Sequence, residues 1–101
     1  MKAQGDRWFL YLARCGDGSL YAGIAVDVRA RIAAHDAGKG ARYTRGRGPI
    51  TLAAWTRCND RGEALRLEHA LKARSRTEKI AILRTGLGRW ARNARRVLDV
   101  T

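Results

Sequence analysis

YLARCGDGSLYAGIAVDVRAR, residues 11–31, decides how this chain folds. Tyr11 and Tyr21 flank a Gly16-Asp17-Gly18-Ser19 segment of turn-forming residues. The residues before the turn, Arg7–Arg14, are aromatic and apolar without Gly or Pro, and residues 20–25 follow in the same character. The stretch therefore reads as a β-hairpin that hands the chain to a helix. Side chains alternate faces along a strand, so the loop length matters. A two-residue loop at Asp17-Gly18 pairs Arg14 with Tyr21 and separates the tyrosines. A three-residue loop, Asp17-Gly18-Ser19, pairs Cys15 with Tyr21 and puts both tyrosines on one face. If they share a site, an odd-numbered loop or a bulge is expected.

Outward from the hairpin, Asp27 is placed to cap a helix over about 28–37. Val28 and Ile32 then face the core, with Arg31 and His35 on the neighbouring row, and Gly38 ends the helix. Residues 38–48 form a basic loop punctuated by glycine, with Lys39, Arg42, Arg45 and Arg47 around Tyr43. Glycines there would let backbone N–H groups approach phosphates, arginines would grip the oxygens, and the tyrosine offers a stacking face. Residues 50–57 read as a third strand. Asp60 and Glu63 have capping-box spacing before a helix over about 61–73, whose core stripe is Ala64, Leu67 and Leu71. Ser75 and Glu78 repeat that spacing before a helix to about Arg84, anchored by Ile80 and Leu83 and stopped by Gly86. The tail, 87–101, carries Trp90 and Arg89, Arg92, Arg95 and Arg96. It reads either as a last amphipathic helix or as a frayed end. The order is β-β-α-β-α-α, an α+β chain.

The 101 residues make one domain, and 46% hydrophobic content supports a folded core. The balance of 21 Lys+Arg against 9 Asp+Glu, a net charge of +12, calls for a polyanionic partner, with nucleic acid ahead of a membrane surface. No apolar run is long enough to cross a bilayer, and Met1–Arg7 carries no secretory pattern. Cys15 and Cys58 belong to no C-x-x-C pair and read as buried small hydrophobes of a reduced, cytoplasmic chain. No P-loop, dinucleotide fingerprint or Ser-His-Asp set is present, so no organic cofactor is expected.

Glu68 is the only acidic residue between Glu63 and Glu78, and Arg66, His69 and Lys72 surround it. It fits two roles: an i,i+4 ion pair with Lys72, or a carboxylate holding one Mg²⁺ (or Mn²⁺). Tyrosines, an arginine and one glutamate together suit phosphodiester chemistry, which needs a base, a cation for the transition state and a metal holder.

Phe9-Leu10-Tyr11, Tyr21-Ala22-Gly23, Asp27 to Ile32 with Arg31, His35, Ala41-Arg42-Tyr43-Thr44 and Ala64 to Lys72 with Glu68 resemble the GIY-YIG nuclease superfamily. More narrowly, the chain is similar to its small single-domain bacterial YhbQ-like branch, over about residues 7–84. The resemblance implies a three-stranded antiparallel sheet flanked by helices, with residues 1–86 as the nuclease domain and 87–101 as its basic extension. It implies metal-dependent cleavage of DNA, as in repair. Tyr11 and Tyr21 would position or deprotonate the attacking water. Arg31 would stabilise the pentavalent phosphate, Glu68 would ligate the ion, and His35 and Tyr43 would support water and scissile phosphate. Lys39, Arg42, Arg45, Arg47 and Lys72 would bind the nucleic acid. Phe9-Leu10 stands where relatives have Gly-Ile. Ala25 stands where many have a hydroxyl residue, which removes a possible hydrogen bond at the hairpin's end.

The expected substrate is single-stranded or branched DNA, cut with little base specificity by a monomer or weak dimer. The rival reading is a nucleic-acid-binding module on the same fold, without turnover.

Overall fold

The computed structural model describes residues 7–100, with side chains to Leu98. The segment read for a secretory pattern lies almost wholly outside these residues, as does the Val100 side chain. Three strands form an antiparallel sheet: β1 (Trp8–Arg14), β2 (Leu20–Ala25) and β3 (Thr51–Cys58), with β1 in the middle. Among the described residues α1 (Val28–Asp36), α2 (Arg61–Lys72) and α3 (Arg76–Thr85) follow the expected order, and α4 (Leu87–Val100) adds a fourth helix to it. No helix among the described residues is long and apolar enough to cross a membrane.

The hairpin loop has three residues, so both tyrosines lie on one face. Its register, however, differs from the expected one. Ala13 faces Tyr21 and Tyr11 faces Gly23, and the loop is Gly16-Asp17-Gly18. The Cys15 amide donates to the Ser19 carbonyl at 2.9 Å, and Gly18 takes φ +85°, a conformation that favours glycine. Asp17 closes the turn by accepting from the Ser19 amide and hydroxyl, which hold its carboxyl down at about 2. The turn chemistry is as read, but the glycine that satisfies the strained position is the third loop residue.

The pleat sorts the sheet into two faces. Leu10 and Leu12 of β1, with Leu20, Ala22 and Ile24 of β2, pack against Ala64, Leu67 and Leu71 of α2, Ile82 of α3, and Leu87 and Ala91 of α4. Tyr11, Ala13, Cys15 and Ala25 point the other way, where Val28 and Ile32 of α1 cover them. Both cysteines are free and buried.

Two local expectations need correction, and one open alternative is decided. Asp60 caps α2 by accepting from the Glu63 amide at 2.8 Å, but the Glu63 carboxylate does not return to Asp60. It takes the Asn59 amide at 2.8 Å and both prongs of Arg95 at 2.6 and 2.9 Å, so it serves α4 instead. In α3 the buried residue is Ile82, with Ile80 and Leu83 only partly covered, because α4 packs on that side. The tail is a helix throughout its described length. Its stripe of Leu87, Trp90, Ala91, Ala94 and Leu98 has helical spacing and lies on the core, which removes the frayed alternative.

Candidate active site

β2 is an edge strand, and the site wraps around that edge. α1 reaches it from one face of the sheet and α2 from the other. Between them opens a cleft of about 310 Å³ lined by Tyr11, Tyr21, Gly23, Arg31, Arg61 and Glu68, with Trp8, Ile24 and Leu65 on its rim. Four candidate residues from distant parts of the chain thus share one cavity: Tyr11, Tyr21, Arg31 and Glu68.

Tyr11 is buried to 1% exposure on the central strand. Its ring passes beneath Gly23, where any Cβ would collide with the phenol. That collision is why the second triplet needs glycine. The Tyr11 hydroxyl meets His35 Nε2 at 2.8 Å, and the Ala41 amide donates to His35 Nδ1 at 3.1 Å. An amide can only donate, so Nδ1 is the accepting nitrogen. The neutral ring therefore carries its hydrogen on Nε2 and donates to the phenol oxygen. Thr44 Oγ1, 2.9 Å from Nδ1, completes the bracket. Burial, and secondarily Arg31, pull the His35 pKa below its usual value and keep the ring neutral. Burial also pushes the Tyr11 phenol above its usual range, with Tyr21 adding to it and Arg31 opposing. At neutral pH Tyr11 is a phenol whose own hydrogen is not used by His35.

His35 sits deeper than a helix edge implies, at 2% exposure. The loop after α1 folds back over it: the Lys39 amide donates to the Ala34 carbonyl at 2.8 Å, and Gly40 presses so closely that a Cβ would overlap the imidazole. Gly40 and the Ala41 amide thus serve the histidine, where the sequence suggested a phosphate cradle.

Tyr21 is half-buried, with its ring 5.7 Å from Tyr43 in a stacked arrangement and Lys72 Nζ 5.2 Å from its centroid. Among the described residues its hydroxyl has no hydrogen-bond partner. Arg31 is exposed, and its Nη1 donates to the Ile24 carbonyl at 3.3 Å, which aims the guanidinium at the cleft. Glu68 meets Lys72 Nζ at 3.5 Å, a loose contact that leaves most of the carboxylate's capacity unused. The bland i,i+4 pair and the cleft position therefore coexist.

The loop cations divide. Arg47 is committed to the fold, 2.6 Å from Asp17 and 4.3 Å from the Tyr43 ring centroid. Lys39, Arg42 and Arg45 are exposed, without a side-chain partner among the described residues, and outside the cleft lining.

Sequence reasoning missed Thr44, Gly40, Trp8, Arg61 and Leu65. A signal existed for two of them: Arg61, Leu65, Glu68 and Lys72 recur at helical spacing and form one stripe of α2. Trp8 joins through the Arg61 guanidinium, 5.5 Å from its ring.

A single carboxylate beside phenols is a hard oxygen set. Among the described residues no three His, Cys, Asp or Glu side chains gather into a closed cage. Glu68 is the residue that would hold a hard ion such as Mg²⁺ or Mn²⁺, which keeps several waters and takes further ligands from substrate phosphates.

The sequence matches the GIY-YIG catalytic domain family over residues 7–81. A UPF0213 protein of Nitratidesulfovibrio vulgaris is 45% identical over 78 residues, covering 77% of this chain and 71% of that one. One from Staphylococcus epidermidis is 41% identical over 81 residues, covering 80% and 99%. The solution NMR structure of a UPF0213 protein from Bacillus halodurans, 40% identical, superposes with a TM-score of 0.53 over 84% of this chain and 90% of that one.

Proposed function

This chain belongs to the GIY-YIG family of nuclease-type domains, and from that premise we propose that it is a divalent-metal-dependent endonuclease hydrolysing phosphodiester bonds in single-stranded or branched DNA. The observation that carries the reading is the convergence of Tyr11, Tyr21, Arg31 and Glu68 on one cleft, with Arg61 beside them in its lining. Binding alone needs cations, not a carboxylate among them.

Arg31 and Arg61 draw the phosphate into the cleft and, in the transition state, Arg31 offsets charge building on its oxygens. Tyr21, with its hydroxyl unengaged, orients the attacking water. Tyr11, a neutral phenol whose oxygen accepts the His35 Nε2 hydrogen, keeps its own hydrogen free to position the attacking water. A divalent ion at Glu68 would supply the remaining positive charge at the scissile phosphate. Tyr43 stacks on Tyr21 and holds its ring in place.

The test is cleavage of single-stranded and branched DNA in Mg²⁺ by wild type and by Glu68→Ala. Loss of a group that stabilises the transition state costs on the order of 10²–10³ in rate, and that loss is the expected result. Equal cutting by both proteins would overturn the role of Glu68, and DNA bound by wild type without any product would leave the fold as a binding module.

A further inference from the structure

The pair of exposed Trp55 and half-buried Phe9 lines no part of the cleavage cleft. Trp55 of β3 is 57% exposed, and its ring meets Phe9 of β1 edge-to-face at 5.7 Å. With Val26, Val28 and Arg29 they line an apolar cavity of about 410 Å³. An edge-to-face contact leaves a broad indole surface to solvent. A lone exposed tryptophan would need no explanation, but here two aromatics and two valines are contiguous.

Its surroundings are cationic. Arg57 is the direct cross-strand partner of Phe9 and shares a sheet face with Trp55, while Arg29 lies in the cavity wall, and both are exposed. The one acid in the lining, Asp27, is occupied in capping α1 by accepting from the Ala30 amide at 3.0 Å. The cavity and the cleavage cleft are lined by neighbouring residues of β1: Trp8 in the cleft and Phe9 in the cavity. Ile24 and Arg31 line the cleft, and Val26 and Arg29 line the cavity.

We infer that Phe9 and Trp55 form a stacking platform for an unpaired base of the substrate strand, with Arg29 and Arg57 holding the adjoining phosphates. An indole face flanked by guanidinium groups is complementary to a base on a polyanionic backbone and not to a neutral apolar surface. A paired base cannot enter, so the platform selects strands with unpaired nucleotides beside the cut. This inference rests on nucleic acid being the partner but not on hydrolysis.

The experiment measures binding of a labelled oligothymidylate and of a blunt duplex, by anisotropy at fixed salt with a chelator present. Trp55→Ala should weaken oligothymidylate binding roughly 5- to 150-fold, the range of one base–aromatic stack, and leave duplex binding unchanged. Trp55→Phe should restore most of the affinity. Intrinsic fluorescence should fall on oligothymidylate binding in wild type and fall less in Trp55→Ala, where the half-buried Trp8 at the cleft and Trp90 remain. Thermal melts show that each variant is folded. An equal loss on both substrates, no loss on either, or a wild-type dimer that Trp55→Ala dissociates would overturn the inference; the last would make this face a contact between copies. Absence of cleavage alone would sink the nuclease proposal and leave the platform standing.

Discussion

His35 shows how much one side chain depends on its neighbours. An exposed histidine titrates near 6.5, but here burial and Arg31 disfavour the imidazolium. Its Nδ1 is also fixed as an acceptor by the Ala41 amide. The folded chain therefore binds this proton less readily than the unfolded chain. Stability is fully present above the ordinary imidazole value and declines as pH falls below it. Urea denaturation should show a falling midpoint between pH 7.5 and 5.5, a window clear of the carboxylates. His35→Gln should flatten that slope. A flat wild-type profile would mean that the folded ring accepts a proton without cost. Nothing in the sequence around His35 disclosed this setting, because its second partner comes from a loop whose path is set by Gly40.

At the scale of elements, α4 is tied to the start of α2 through Glu63. That carboxylate is 6% exposed and bonded to the Asn59 amide and the Arg95 guanidinium. Burial pushes its pKa up, but the Arg95 and Asn59 hydrogen bonds outweigh it, so the net shift is downward. The tie is present above pH 4.5 and is lost as acid protonates the group in the folded state. Arg95→Ala leaves the carboxylate without its cation. The cost is about 2 kcal/mol in urea, below the figure for a fully buried pair because the Arg95 side chain is 26% exposed. Glu63→Gln combined with Arg95→Ala should cost less than the sum of the two, since no stranded charge then remains. Capping-box spacing in the sequence correctly marked the helix start. It misassigned the glutamate, since a carboxylate prefers a guanidinium fork to a single amide.

The whole molecule carries +12, and Lys39, Arg42 and Arg45 stand exposed on one loop without a side-chain partner among the described residues. Single-strand binding should therefore weaken linearly in log–log salt plots. Replacing Lys39, Arg42 and Arg45 together by alanine should reduce the slope by up to about 2, near 0.7 per lost phosphate contact. Arg47→Ala should lower the melting temperature more than the slope, because that side chain braces the hairpin through Asp17. Identical slopes for wild type and triple variant would place the phosphate contacts elsewhere on the surface.

The amino-acid sequence alone determined the elements. Hydrophobic alternation, turn glycines and N-cap residues act over a few neighbours, so the hairpin, the helix after Asp27 and those after Asp60 and Ser75 were legible. The odd-numbered loop that sets Tyr11 and Tyr21 on one face followed only on the condition that the two share a site. Tertiary structure alone decided the hairpin register, the burial of His35 under Gly40, the use of Glu63 to hold α4, and the exposure of Trp55. Each of these depends on which segments approach through space. That approach is fixed by packing α1 on one face of the sheet and α2, α3 and α4 on the other, a constraint that no local stretch of chain contains.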